Sequence, residues 1–265
     1  MNKRCLGVIP ARALSSRLPG KVLKDIDGKT LLQRVWEQAQ QAKLLTELHI
    51  ATDDEKVAEL GRSFGASVIM TSENNRTGSD RVSEAYSIRQ ATGAEFDIIT
   101  NIQGDMPFIQ PEAIDRVIQR LADGPEYFGM STIARPITEL DEFLKTSVVK
   151  VVLGDDNGAL YFSRAPIPFA RDGFSEDDIS EAAPHGYKHI GLYAFKPQTL
   201  KAMSTWSSGL CENRECLEQL RALANGVRIA VEVFKQFELE PAIEVDTTDD
   251  LHRAIAYAKT LSRLT

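Results

Sequence analysis

The sequence predicts an α/β fold: a mostly parallel sheet with helices on both faces and an antiparallel region inserted in the second half. Three observations carry this prediction. Short apolar runs alternate with stretches of helical spacing as far as Leu121, the pattern of crossover connections between parallel strands. Beyond that point strand-like runs follow one another with fewer helices between them. The 265 residues are 43% hydrophobic and 26% charged, an ordinary balance for a folded chain with a sizeable core.

The elements follow in order. Cys5–Ile9 is an apolar run and reads as a buried strand. Leu31, Leu32, Val35, Trp36, Ala39 and Ala42 fall near helical spacing and predict a helix over Thr30–Lys43. Leu48–Thr52 reads as a strand, and Asp54–Phe64 as a helix whose acidic start favours the helix dipole. Ala66–Met70 is a strand, Ser79–Arg89 a helix and Asp97–Ile102 a strand. Pro111 suits a first helical turn and opens a helix through Leu121. In the second half Val148–Leu153, Ala159–Ser163 and Lys188–Phe195 read as strands. Pro166–Pro184 mixes Pro, Gly and acidic residues and reads as a long irregular loop. Glu215–Ala224 is a helix, Val227–Val233 a strand and Thr248–Leu264 a final amphipathic helix.

Composition narrows the function classes. No apolar run approaches the roughly 20 residues that span a bilayer, and the short run after Met-Asn-Lys-Arg is not a signal peptide. Three cysteines, Cys5, Cys211 and Cys216, form no C-x-x-C. An odd count of this kind points away from a disulfide framework or zinc knuckle and toward a reducing, cytoplasmic setting. Cys211 and Cys216 are expected to pack within a helix. The net charge of −7 argues against a nucleic-acid scaffold. Yet residues 1–29 carry seven cations against Asp25 and Asp27. Such a local excess suits a small anion, or it is a solvated basic face.

Three motifs sharpen the choice. "VIPARALSSRLPGK", Val8–Lys21, runs from the first strand into a loop with Arg12, Arg17 and Lys21. A loop after such a strand aims backbone N–H groups and mobile cations at the carboxyl edge of the sheet, where open α/β folds bind ligands. It is not a P-loop: "DGKT", Asp27–Thr30, lacks the earlier glycine, because Leu23 stands there. "DGKT" reads as a turn and helix start. There is no G-x-G-x-x-G either. "NIQGDMP", Asn101–Pro107, follows another strand and offers Asp105 beside Gly104, either a plain turn or a Mg²⁺ ligand. "EVDTTDD", Glu244–Asp250, is either a helix cap at Thr247 or Thr248, or a source of Asp246 as a second ligand. His185 and His189 enter a strand, where a four-residue spacing does not form a zinc pair.

Seven blocks in order carry a resemblance: "IPARALSSRLPGK", "TGSDR", "IQGDMP", "LYFSRAPIP", "HIGLYAF", "LEQLR" and "VDTTDDL". Together they resemble the 3-deoxy-manno-octulosonate (Kdo) cytidylyltransferases over nearly the whole chain. The resemblance implies a Rossmann-like core and transfer of a cytidylyl group from CTP to Kdo in lipopolysaccharide biosynthesis. It implies one nucleotidyltransferase domain, with a nucleotide-binding core near 1–135 and 225–265. Residues near 136–224 then bind the acceptor and form a homodimer. Arg12, Arg17 and Lys21 match the triphosphate-binding cations, with Pro10 and Ala11 in the same nucleotide-binding loop. Arg81 matches the arginine near the cytosine, and Gln103 a residue near nucleotide and acceptor. Arg164, His189, Tyr193, Glu218 and Gln219 match the acidic-sugar pocket. Asp105 and Asp246 match the two Mg²⁺ ligands, and Arg12, Lys21 and Asp105 are the implied catalytic set.

The chain departs from the family pattern at Met106, where Glu is common, at Thr248, where Pro is common, and at Asn213, where His is frequent. These departures bear on the acceptor. An 8-amino-Kdo, an acylneuraminate-like sugar or a phosphonate stays open beside Kdo. So does a non-catalytic nucleotide-binding regulator.

Overall fold

In the computed structural model the chain divides into two compact units, Met1–Asp115 with Glu240–Thr265, and Arg116–Leu239. The structure describes residues 3–12, 17–171, 173–174, 184–239 and 243–263.

The first unit is built on four parallel strands. β1 (Cys5–Pro10) is buried along almost its whole length. It pairs on one side with β4 (Glu47–Thr52) and on the other with β6 (Ile98–Asn101). β5 (Val68–Met70) extends the sheet from β4. The strand order β5-β4-β1-β6 therefore reverses direction at β1, which makes the carboxyl ends of β1 and β6 a topological switch point. The short hairpin β2 (Asp25–Ile26) and β3 (Lys29–Thr30) turns through Asp27 and Gly28, both at positive φ. "DGKT" is thus a turn and helix start, as its sequence predicts.

Helix starts in this unit are written into short polar side chains. Thr30 Oγ1 accepts from Gln33 N at the start of α1 (Leu31–Ala39), and Asp54 caps α2 (Glu55–Ser63). α3 (Gly78–Ala91) opens on a reciprocal capping box of Thr77 and Asp80. α4 (Pro111–Ala122) begins at Pro111 and runs across the boundary between the units.

α9 (Thr248–Ser262) returns to the first unit, capped by Thr247 and Asp250. It closes a core of Leu18, Ile26, Leu31, Phe108, Val245, Ala254 and Ala258.

The second unit is mostly antiparallel. β7 (Phe128–Ile137) pairs with β10 (Gly186–Phe195) antiparallel and with β11 (Arg228–Val233) parallel. β8 (Lys150–Leu153) pairs with β10 and β9 (Ala159–Ser163). Four helices complete it: α5 (Leu140–Leu144), α6 (Pro197–Thr205), α7 (Leu210–Glu215) and α8 (Gln219–Ala224).

Three local expectations change here. β7 and α6 are elements the sequence pattern does not announce. The helix predicted over Glu215–Ala224 is instead the end of α7 and the whole of α8, separated at Cys216, whose φ of 53° is left-handed and ends α7. Cys211 and Cys216 are both exposed, so neither packs in a helix core, whereas Cys5 is buried. The irregular loop expected over Pro166–Pro184 lies largely outside the described residues.

Candidate active site

The first unit gathers its charged side chains at the switch point. The chain leaves β1 at Pro10, and Ala11 N still donates to Ala51 O at 2.9 Å. Gly104, just beyond β6, comes so close to β1 that a Cβ there would lie 2.9 Å from the Pro10 carbonyl oxygen. Only glycine permits this approach, which sets Asp105 beside the end of β1. From the other end of the chain, Val245 N donates to Asp105 O at 2.9 Å, with Val245 itself buried in the core under α9. Asp246 is therefore delivered to the same place.

The two carboxylates converge on one cation. Lys21 Nζ donates to Asp105 Oδ2 at 2.7 Å and to Asp246 Oδ1 at 2.9 Å. Gly20, at φ 65°, turns the chain into a single 3₁₀ turn that presents Lys21. Burial pulls the Lys21 pKa down, but the two carboxylates outweigh it and the net direction is upward. Arg17 adds a contact to Asp246 Oδ2 at 2.9 Å. The capping work in "EVDTTDD" falls to Thr247 and Asp250, which leaves the Asp246 side chain to face these cations.

Arg12 and Arg81 form a second cationic element. Arg12 Nη2 donates to the carbonyls of Asn75 and Thr77. Burial and the nearby charge of Arg81 lower the Arg12 pKa, with Asp53 and Asp80 pulling the other way. Arg81 lies within α3, fully buried, with Nη1 donating to Thr71 Oγ1 at 2.5 Å and Nη2 2.9 Å from Asp53 Oδ2. Asp53 stands just past β4 and was not apparent from sequence; its place at a strand end is the signal that would have found it. Gln103 is half-buried, with Nε2 3.5 Å from Asn101 Oδ1.

In the second unit His189 Nε2 is 2.9 Å from Thr132 Oγ1, which also lies 2.9 Å from Leu192 O and 3.2 Å from Ile190 O. A hydroxyl has one proton. Given to a carbonyl, it leaves Thr132 to accept from His189, which fixes the proton of the imidazole on Nε2. Burial lowers the His189 pKa to about 3, so the ring is neutral. Its ring tilts against Tyr193 at 5.5 Å. Tyr193 Oη donates to Gln219 Oε1 at 3.2 Å, and the buried Gln219 Nε2 has no partner among the described residues. Glu218 is half-buried directly before α8.

Arg164 follows β9. Its Nε donates to Glu215 O at 2.8 Å and its Nη1 to Thr146 O at 3.3 Å. His185 packs its ring on Phe143. Among the described residues no group of three or more His, Cys, Asp or Glu is arranged to hold a metal. Met106, at the departure from the family pattern, is a buried apolar side chain. No helix among the described residues is long and apolar enough to cross a membrane.

The chain is similar to known proteins. Residues 6–229 match the family model described as cytidylyltransferase. A 3-deoxy-manno-octulosonate cytidylyltransferase of Acinetobacter baumannii is 44% identical over 246 residues, 93% of this chain and 94% of that protein. One from Solibacter usitatus is 45% identical over 253 residues, covering 96% and 94%. The solved structure of a CMP:2-keto-3-deoxy-manno-octonic acid synthetase complexed with CTP superposes with a TM-score of 0.85 at 35% identity, covering 97% of this chain and 99% of that one. A cytidylyltransferase from Leptospira borgpetersenii, 16% identical with a TM-score of 0.59, shares the fold.

Proposed function

The chain belongs to the 3-deoxy-manno-octulosonate cytidylyltransferase family, and from that premise we propose how its side chains divide the work of making CMP-Kdo and pyrophosphate from CTP and Kdo. The observation that carries the reading is the convergence of Asp105, Asp246 and Lys21 at the switch point.

Asp105 and Asp246 are the proposed Mg²⁺ ligands. Two hard carboxylate oxygens that already share one cation fit an ion that takes its remaining ligands from phosphates and water. When bound, the ion supplies charge neutralisation at the phosphates and polarisation of the α-phosphorus. Lys21, Arg12 and Arg17 hold the β- and γ-phosphates and stabilise the leaving pyrophosphate. Pro10, Ala11, Arg81 and Gln103 line the nucleotide side. The anomeric hydroxyl oxygen of the acceptor forms the new bond to the α-phosphorus as the bond to the bridging oxygen breaks; pyrophosphate leaves and the hydroxyl proton passes to solvent. The protein's part is positioning and charge stabilisation.

Arg164 takes the acceptor carboxylate. His189, Tyr193, Glu218 and Gln219 hydrogen-bond its hydroxyls, with Gln219 Nε2, which has no partner among the described residues, supplying a donor. The protein works in the cytoplasm as a homodimer. The second unit supports that assembly by exposing Leu160, Phe169 and Leu210 at 62%, 76% and 75%, side chains that a partner surface would cover.

Pyrophosphate release from CTP with Kdo, 8-amino-Kdo and N-acetylneuraminate in parallel tests the reading. Kdo is the expected best acceptor and CTP the preferred nucleotide. Equal turnover of UTP, or preference for another acid, overturns the respective half.

A further inference from the structure

Arg164 is held at more points than a surface arginine after a strand requires. Its main-chain N–H donates to Glu215 Oε2 at 2.9 Å, and its main-chain carbonyl accepts from Lys150 Nζ at 2.7 Å. Its Nε donates to the Glu215 main-chain carbonyl at 2.8 Å. The other Glu215 oxygen accepts from Ser163 Oγ at 2.5 Å, and that hydroxyl oxygen in turn accepts from Ala165 N at 3.0 Å. Lys150 is fully buried, with the carbonyls of Lys145 and Val148 completing its coordination at 2.9 and 2.8 Å. The Glu215 carboxylate thus spends both oxygens on the 163–164 segment and not on the guanidinium. Among the described residues, the guanidinium hydrogen bonds of Arg164 go to main-chain carbonyls, which are neutral. Carbonyl anchors orient a guanidinium without cancelling its charge, and a charge left uncancelled is what an anionic group binds.

We propose that Glu215 is a positioning residue for the acceptor, and that Ser163 and Lys150 complete its frame. By fixing the backbone of Arg164 on both sides, the frame aims the guanidinium at an acidic sugar. This rests on the reading of Arg164 as the acceptor-carboxylate partner, and the experiment separates the two. Kdo KM, CTP KM and kcat are measured by pyrophosphate release for Glu215→Gln, Ser163→Ala, Arg164→Ala and the two double variants that combine a frame substitution with Arg164→Ala. Thermal melting confirms that each is folded at the assay temperature.

Glu215→Gln, which leaves one acceptor oxygen where the carboxylate uses two and so sets an NH2 against either the Arg164 N–H or the Ser163 hydroxyl, is expected to raise Kdo KM about tenfold, with CTP KM held within about twofold. Ser163→Ala raises Kdo KM by a smaller factor, about threefold, and carries the test alone if Glu215→Gln does not fold. In the Arg164→Ala background neither frame substitution adds more than about twofold, because the group being aimed is gone. A full additional effect in that background, or an equal rise in CTP KM, overturns the positioning role and leaves Arg164 as the carboxylate partner. An unchanged Kdo KM in Arg164→Ala overturns the Arg164 reading itself, and the proposal with it.

Discussion

Asp105 and Asp246 illustrate how much a single residue can be asked to do. Each reaches the ammonium of Lys21 with one oxygen, so the pair acts as a unit. Replacing either by Asn keeps its size and removes the charge that the proposed Mg²⁺ site requires. Each single change is expected to lower kcat by roughly two to four orders of magnitude. The double variant should fall little further, because groups acting together are not additive. Steady-state turnover at saturating Mg²⁺ checks this, and near-normal turnover in Asp246→Asn breaks the shared site. His189 gives a prediction in stability. Its pKa falls from 6.5 unfolded to about 3 folded, so between those values the unfolded state binds the extra proton. Stability is complete above pH 6.5 and is lost as pH drops toward 3. Denaturant unfolding of His189→Gln should show a flatter acid limb over that window, by up to several kcal/mol. At this scale the sequence was informative where chemistry is contiguous: Arg12, Arg17 and Lys21 share one loop, and Asp105 shares a turn with its glycine. Asp53, Thr132 and Glu215 were hidden because each acts across the fold on a residue far from it in sequence, and no local pattern marks such a partner.

The elements were legible where periodicity is clean. β1, β4 and β6 are apolar runs, and α1, α2 and α4 put their apolar residues on one face. β7 was not legible, because it is buried along nearly its whole length and carries Ser131, Thr132 and Arg135 inside. A strand covered on both faces loses the alternation that reveals one, and the buried Arg135 is made tolerable by Glu142 at 2.7 Å, seven residues on, and by the Pro136 carbonyl at 2.9 Å. The helix predicted over Glu215–Ala224 runs through the break before α8 because its residue types suit a helix, whereas the first five residues of α7 were not predicted. The break is a backbone fact at Cys216, where a non-glycine residue takes a left-handed conformation. The junction of β1 and β6 gives the prediction proper to this scale. In Gly104→Ala the new methyl meets the Pro10 carbonyl oxygen at 2.9 Å, backbone against side chain, so the two strand ends must part. A loss of about 1–3 kcal/mol in stability and a disproportionate loss of kcat are expected, since Asp105 moves with the loop. Denaturation midpoints and turnover measured on the same preparation check this, and an unaffected kcat would show that the close approach serves packing alone.

For the molecule as a whole, the exposed Leu160 and Leu210 on the second unit set the test of assembly. Sedimentation at micromolar concentration should give twice the 29.4 kDa chain mass. Leu160→Glu combined with Leu210→Glu should shift that mass to the monomer, and a wild-type protein that sediments cleanly at the single-chain mass overturns the dimer. The α/β class was readable at this scale from alternation alone. The resemblance implies an inserted region near 136–224, whereas the division into compact units begins at Arg116, inside the uninterrupted helical pattern of α4, where no local break marks it. That division also has a temporal side. The second unit is one continuous segment, Arg116–Leu239, whereas the first needs both Met1–Asp115 and Glu240–Thr265. A ribosome makes the inserted unit whole before it has made all of its host, and domains fold as units during synthesis. While the tail is still unmade, the nascent chain carries Lys21 and Asp105 without Asp246 and without the helix that buries Val245. If the proposed site is right, nucleotide chemistry waits for translation of the tail, and an abandoned, half-made chain lacks the Asp246 carboxylate that the site requires.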